Sequence, residues 1–131
     1  MVFGTFDILH KGHINFLNQA KKHGDYLIVT VANDSNVYKI KNKNPLYTQE
    51  KRKKEIENLN IASKVIFGNK NIKKYFEIIK NELPNIICLG YDQDDLNLEK
   101  TIKENNLEIK IIRLKPYKEH IFKSSILKQP F

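Results

Sequence analysis

Five short apolar runs recur along this chain, each parted from the next by a stretch with helical patterning. That alternation limits the fold more than any other feature of the sequence. "MVFGTF", "DYLIVTVA", "KVIF", "NIICLG" and "EIKIIRL" read as strands. "DYLIVTVA" is a continuous apolar run, as expected of a parallel strand buried on both faces. "HINFLNQAKKHG" reads as a helix closed by Gly24, and "TQEKRKKEIENL" as a helix capped by Thr48. In "NIKKYFEIIKNEL" the stripe Ile72, Tyr75, Phe76 and Ile79 has helical spacing, and Pro84 ends it. "DLNLEKTIKENN" and the short "SSILK" complete the helical segments. Strands alternating with helices predict an α/β fold: a Rossmann-like five-stranded parallel sheet with helices on both faces, formed by one domain over residues 1–131. Only three residues precede Gly4, so the first strand is unusually short or the natural chain begins earlier.

Composition narrows the class. Charged residues make up 29% and hydrophobic residues 40%, a globular mixture, and no apolar run approaches the roughly 20 residues of a membrane span. No signal peptide is visible, and the lone Cys88 cannot form an internal disulfide; it reads as a small core residue on a strand. A cytoplasmic protein without membrane association is the expectation. The net charge of +8 suits anionic ligands. Nearly all of it is lysine spread along the chain, however, which reads as a solvated surface rather than a nucleic-acid patch. The two arginines, Arg52 and Arg113, stand out against that background.

Ligands of parallel sheets bind beyond the carboxyl ends of the strands. "GTFDILHKGH" begins where the first strand ends, "GYDQDD" where the fourth ends, and Arg113 closes the fifth. The first segment admits three readings. His10 and His13, three apart, could share a metal, with a third ligand from Asp7, Asp92 or His120, but no Cys cluster or HExxH pattern supports one. They could serve a phosphate: Gly12 clears an approach to the backbone, the helix start presents N–H groups, and the rings donate further bonds. His13 shares a helical face with Phe16, Leu17 and Ala20, so it points inward and needs a polar partner. In the plainest reading His10 caps a loop and His13 bonds a backbone carbonyl.

The ten residues resemble the GTFDxxHxGH signature of the cytidylyltransferase-like nucleotidyltransferases, a group that includes glycerol-3-phosphate cytidylyltransferase and archaeal FAD synthase. The likeness spans nearly the whole chain. "KNKNPLYTQEKRKKEI" resembles the family's lysine-bearing loop and the helix with its E-x-R arginine, here Arg52, with Lys41 and Lys43 nearest to the loop lysines. Arg52 shares a face with Ile56 and Leu59 and should point inward. "FKSSILK" resembles the family's C-terminal ISSTxIK segment, with Ser124 and Ser125 at the hydroxyl positions. The RTxGIS lead-in is missing; Lys118 or Arg113 would replace its arginine.

The resemblance implies transfer of a nucleoside monophosphate from a nucleoside triphosphate to a phosphorylated acceptor, with release of pyrophosphate and no covalent enzyme intermediate. It implies His10, His13, Lys43 and Arg52 as catalytic residues, and Gly4, Thr5, Phe6, Gly12, Lys41, Gly90, Asp92, Ser124 and Ser125 as nucleotide contacts. It further implies Mg²⁺ or another divalent cation with the triphosphate, and a homodimer. Asp7 and Asp92 read as ribose, metal or loop-ordering groups. "LGYDQ" resembles the archaeal FAD synthase form, whereas glycerol-3-phosphate cytidylyltransferases tend to carry a GDDW-like segment and this chain has no Trp. The expected activity is FMN adenylyltransferase-like, with a cytidylyltransferase for a small polyol or sugar phosphate as the alternative. A nucleotide-binding regulator without turnover is the reading from another class.

Overall fold

The computed structural model describes residues 1–95 and 97–117. Five parallel strands form the centre: β1 Val2–Gly4, β2 Ile28–Val31, β3 Lys64–Phe67, β4 Ile86–Leu89 and β5 Lys110–Arg113. Backbone ladders join β1–β2–β3 and, separately, β4–β5. The two groups meet where the Met1 amino group donates to the Ile86 carbonyl (2.8 Å) and the Cys88 N–H donates to the Met1 carbonyl (3.0 Å). The strands therefore run β3-β2-β1-β4-β5. The expected strands and their parallel sense are present, but the ladder is interrupted between β1 and β4, because β1 has only three residues.

Five helices connect the strands: α1 Lys11–Lys21, α2 Asp34–Lys41, α3 Gln49–Asn58, α4 Tyr75–Glu82 (led by a 3₁₀ turn, Ile72–Lys74) and α5 Leu98–Glu104. Alternate strand residues feed two cores. Val2, Val29, Val65 and Cys88 pack with Leu17 of α1 and Ile56 of α3. Phe3, Ile28, Ile87 and Leu89 pack with Phe76 and Ile79 of α4 and Leu98 of α5. Each face of the sheet thus buries an apolar layer under helices, which is why the central strands read as unbroken apolar runs. Among the described residues no helix is long and apolar enough to cross a membrane.

Two details differ from expectation. Gly24 does not close α1; the helix ends at Lys22 in a right-handed conformation, and no glycine among the described residues has a positive φ. The turn closes through bonds of the Lys22, His23 and Gly24 N–H groups to the carbonyls of the last helical turn, so no left-handed residue is needed. The second difference is α2, a helix where the sequence predicts none. It places Lys41 at a helix end, followed by Asn42 in the left-handed region (φ 57°). Thr48 caps α3 as expected, accepting from the Lys51 N–H at 3.2 Å. Leu83, left-handed at φ 47°, ends α4 just before Pro84. The "SSILK" segment, Lys118, His120, Ser124 and Ser125 lie outside the described residues.

Candidate active site

The carboxyl ends of β1 and β4, where the chain departs to opposite sides of the sheet, open into a cavity of about 350 Å³. From the first loop and helix, Gly4, Thr5, Phe6, Asp7, His10, Gly12 and His13 line it. Lys41 enters from the end of α2, and Gly90 and Asp92 from beyond β4. The fold thus unites three segments far apart in sequence. Tyr91 and Gln93, inside "LGYDQ", also line it, as do Lys115, Pro116 and Tyr117, to which no sequence motif points. The place of those three just beyond the fifth strand is the available signal. Lys43 and Arg52 are not among its walls.

Phe6 shapes the turn out of β1. It sits in the left-handed region (φ 52°) and is buried. Its ring lies so close over Gly4 that a Cβ there would meet ring carbons at 2.7 Å, so the chain needs glycine at that position. The same ring meets His13 edge-on, with centroids 5.6 Å apart.

The two histidines cap α1 reciprocally. The Gly12 N–H donates to His10 Nδ1 (3.0 Å), and the His10 N–H donates to His13 Nδ1 (3.3 Å). Imidazoles here fill the places that Ser and Glu take in a capping box. One consequence concerns the helix start: the Gly12 N–H is satisfied by His10 Nδ1. A second consequence is chemical. Each Nδ1 accepts a bond, so each neutral ring carries its proton on Nε2 and acts as a donor there. The rings stack with centroids 3.9 Å apart. Burial, then His10 and Lys41, push the His13 pKa down to about 4, against the upward pull of Asp7 and of a hydrogen bond to the Ile8 backbone. The Ile8 bond is the carbonyl partner of the plainest reading, and it engages the one ring proton that a phosphate would otherwise receive. Burial also lowers the pKa of His10.

The cations divide into two kinds. Lys41 is half-buried in the cavity wall, and burial lowers its pKa, with Asp7 pulling upward and Lys43 and Arg52 downward. Lys43 follows on the exposed side of the same turn. Arg52 points inward as expected, yet it is fully buried. Its Nε donates to the Tyr47 carbonyl (3.1 Å), Nη1 to the Thr5 carbonyl (2.7 Å) and Nη2 to Asp34 Oδ1 (2.6 Å). The expected charge partner of a substrate is thus a tie between the end of β1, the start of α2 and the approach to α3. Asp34, which no sequence motif marks, is the counter-charge that makes this burial tolerable. Arg113 is likewise engaged: Nη1 donates to the carbonyls of Gly90 (2.8 Å) and Gln93 (2.5 Å). It therefore shapes the loop after β4, where the sequence suggests a phosphate contact.

Asp7 orders a loop, one of the roles read for it. Its two oxygens accept the N–H groups of Leu46 (2.8 Å) and Tyr47 (2.9 Å). Among the described residues no group of three His, Cys, Asp or Glu side chains could hold a metal.

Comparison with known proteins agrees with this geometry. The profile of the cytidylyltransferase-like family matches residues 1–129. The chain belongs to that family. An FAD synthase from Aciduliprofundum boonei is 38% identical over 119 residues, covering 89% of this chain and 78% of the relative. One from Methanosarcina mazei is 44% identical over 119 residues, covering 88% and 76%. Among solved structures, a lipopolysaccharide core biosynthesis protein from Thermoplasma volcanium superposes with a TM-score of 0.83 at 36% identity, covering 90% of this chain and 96% of that one. A pantoate-beta-alanine ligase from Francisella tularensis, at 15% identity and a TM-score of 0.59 over 93% of this chain and 64% of that one, shares the fold. This member of the family is an enzyme of the nucleotidyltransferase class.

Proposed function

We propose that this enzyme transfers the adenylyl group of ATP to FMN, releasing pyrophosphate. The single observation that carries the proposal is the stacked, mutually capped His10–His13 pair, with both Nδ1 atoms committed, in a cavity between the ends of β1 and β4. The FAD synthases at about 40% identity supply the acceptor and the base.

In this reading an FMN phosphate oxygen attacks the α-phosphorus. A new P–O bond forms, and the bond to the bridging oxygen breaks, with its electron pair leaving on pyrophosphate. The protein positions the groups and offsets charge. The Nε2 atoms of His10 and His13 donate to phosphate oxygens, with His13 exchanging its Ile8 backbone partner for the substrate, and the positive end of α1 adds to their field. Lys41 and Lys43 approach the triphosphate, and Gly4, Thr5, Phe6, Gly12, Gly90 and Asp92 shape the nucleotide's place, with Ser124 and Ser125 as contacts outside the described residues. Arg52 acts through the Thr5, Asp34 and Tyr47 groups it holds.

A divalent cation suits this donor set. Asp7 and Asp92 both line the cavity, and Mg²⁺ is commonly held by one or two carboxylates together with phosphate oxygens and water. It supplies neutralisation of triphosphate charge. The reading extends to a cytoplasmic homodimer: exposed Ile8 and Leu46, on the Asp7 loop and the segment bound to it, offer apolar surface to a second copy.

A pyrophosphate-release screen of ATP and CTP against FMN, glycerol 3-phosphate and sugar phosphates, with Mg²⁺, tests the assignment. ATP with FMN is the expected productive pair. Turnover with CTP and a polyol phosphate alone would assign the alternative substrate class. No turnover with any pair would overturn the enzyme reading of this site.

A further inference from the structure

Between β1 and β4 the backbone ladder stops one bond short of the cavity. Met1 exchanges two bonds with β4, donating to Ile86 and accepting from Cys88. In a parallel pair the pattern repeats every second residue. Two residues on, the Gly90 N–H would therefore donate to the Phe3 carbonyl. A side-chain amide stands between them instead. The Gly90 N–H donates to Gln93 Oε1 (2.9 Å), and Gln93 Nε2 donates to the Phe3 carbonyl (2.8 Å).

From this we infer that Gln93 is a positioning residue: its amide wedges the ends of β1 and β4 apart and so sets the width of the nucleotide crevice. Two hydrogen bonds in series, with an amide between them, span more than one bond does. Phe3, Gly90 and Gln93 all line the cavity, so the opening lies in its floor. The surroundings fix the wedge. The Gln93 N–H closes a turn onto the Gly90 carbonyl (3.2 Å), and Arg113 Nη1 holds the Gly90 and Gln93 carbonyls from β5. The two partners also decide which end of the amide is oxygen, since one is a donor and the other an acceptor.

The position demands one donor and one acceptor on the same planar group. A carboxylate accepts from Gly90 but sets a negative oxygen against the Phe3 carbonyl. A protonated carboxyl reproduces the amide pattern. An apolar side chain offers neither bond, and the strand ends then close on each other or leave two polar groups unmet.

The inference rests on the nucleotidyltransferase reading, and its test separates the two. In Gln93→Leu the KM for ATP should rise roughly tenfold or more, with kcat within about threefold of the parent. In Gln93→Glu the same defect should appear near pH 8 and shrink, relative to the parent, as the pH falls towards about 5.5 and the carboxyl protonates. Gln93→Leu should show no such recovery, and Gln93→Glu serves as its own folding control. Unchanged KM in Gln93→Leu, a fall in kcat alone, or a Gln93→Glu defect independent of pH would overturn the proposal. Calorimetric ATP affinities of the same three proteins at both pH values should follow the same pattern, with no turnover required. If the parent releases no pyrophosphate, the enzyme reading fails while the calorimetric pH recovery still decides the wedge.

Discussion

Asp7 Oδ1 accepts the backbone N–H of Tyr47 at 2.9 Å, and its other oxygen takes the N–H of Leu46 at 2.8 Å. One carboxylate in the cavity wall therefore holds the segment that leads from Lys43 to the Thr48 cap of α3. An asparagine can accept with only one of its two heavy atoms, and its NH₂ would oppose the second N–H. Asp7→Asn should lower kcat/KM for ATP by about tenfold or more, the equivalent of about 1.4 kcal/mol. Amide exchange at Leu46 and Tyr47 should quicken in the same variant. Parent-like exchange at those two amides would refute the ordering role.

Arg52 is where burial and charge meet most sharply. All three guanidinium nitrogens are used, and Asp34 is their only acidic partner among the described residues. Removing Arg52 strands the Thr5 and Tyr47 carbonyls, at about 1–3 kcal/mol for each acceptor left unmet, while Asp34, 39% exposed, stays hydrated. Arg52→Met should lower the unfolding free energy measured by urea titration by an amount of that order. Arg52→Lys should recover little, since an ammonium cannot span three acceptors on separate segments. A variant as stable as the parent but inactive would return Arg52 to direct contact with substrate.

His10 and His13 share a motif but differ in consequence. His10→Asn keeps an acceptor at the cap position, so the helix start should survive with a loss of less than about 1 kcal/mol. His13→Ala removes a donor aimed at the transferred phosphate, and loss of one such donor costs about 10²–10³ in kcat. The expected result is a collapse of turnover against a small change in thermal midpoint. Equal turnover in His13→Ala and the parent would sink the assigned role.

The parts legible in the sequence are those governed by local periodicity. "KVIF" is β3 residue for residue, and Thr48 caps α3 as its position suggests. Helix α2 is hidden because its first residues work elsewhere. The Asn33 side chain donates to the Gly68 carbonyl instead of capping, and Asn36 Nδ2 donates to the Asn69 carbonyl (2.7 Å). Asp34 in the first turn, Val37 and Ile40 three apart, and Asn42 beyond the end are the available signals. Arg52 points inward as its helical face predicts, but its partners are two carbonyls and an aspartate from other segments. Backbone carbonyls leave no mark in a sequence. Gln93 is hidden for the same reason, since its side chain meets main-chain groups.

Acid should act on this site through His13. Its pKa in the fold is about 4, below the ordinary 6.5, because burial and the neighbouring His10 and Lys41 disfavour the imidazolium. Between those two values the unfolded chain binds more protons than the folded one, so stability rises with pH. The contribution is fully present above about pH 6.5 and vanishes as the pH drops through 4; its size is at most about 3 kcal/mol. The structural cause is specific: a proton on His13 Nδ1 evicts the His10 N–H, and one on His10 Nδ1 evicts the Gly12 N–H, so acid uncaps α1 from both sides. His13→Asn, which cannot titrate, should flatten much of the slope of unfolding free energy against pH between about 4 and 6.5. A bound triphosphate should act in the opposite direction, raising the His13 pKa by favouring the charged ring. NMR titration of the His13 ring with and without a nonhydrolysable ATP analogue measures that shift. A pKa that stays near 4 with the analogue bound would mean that the phosphates do not approach this ring.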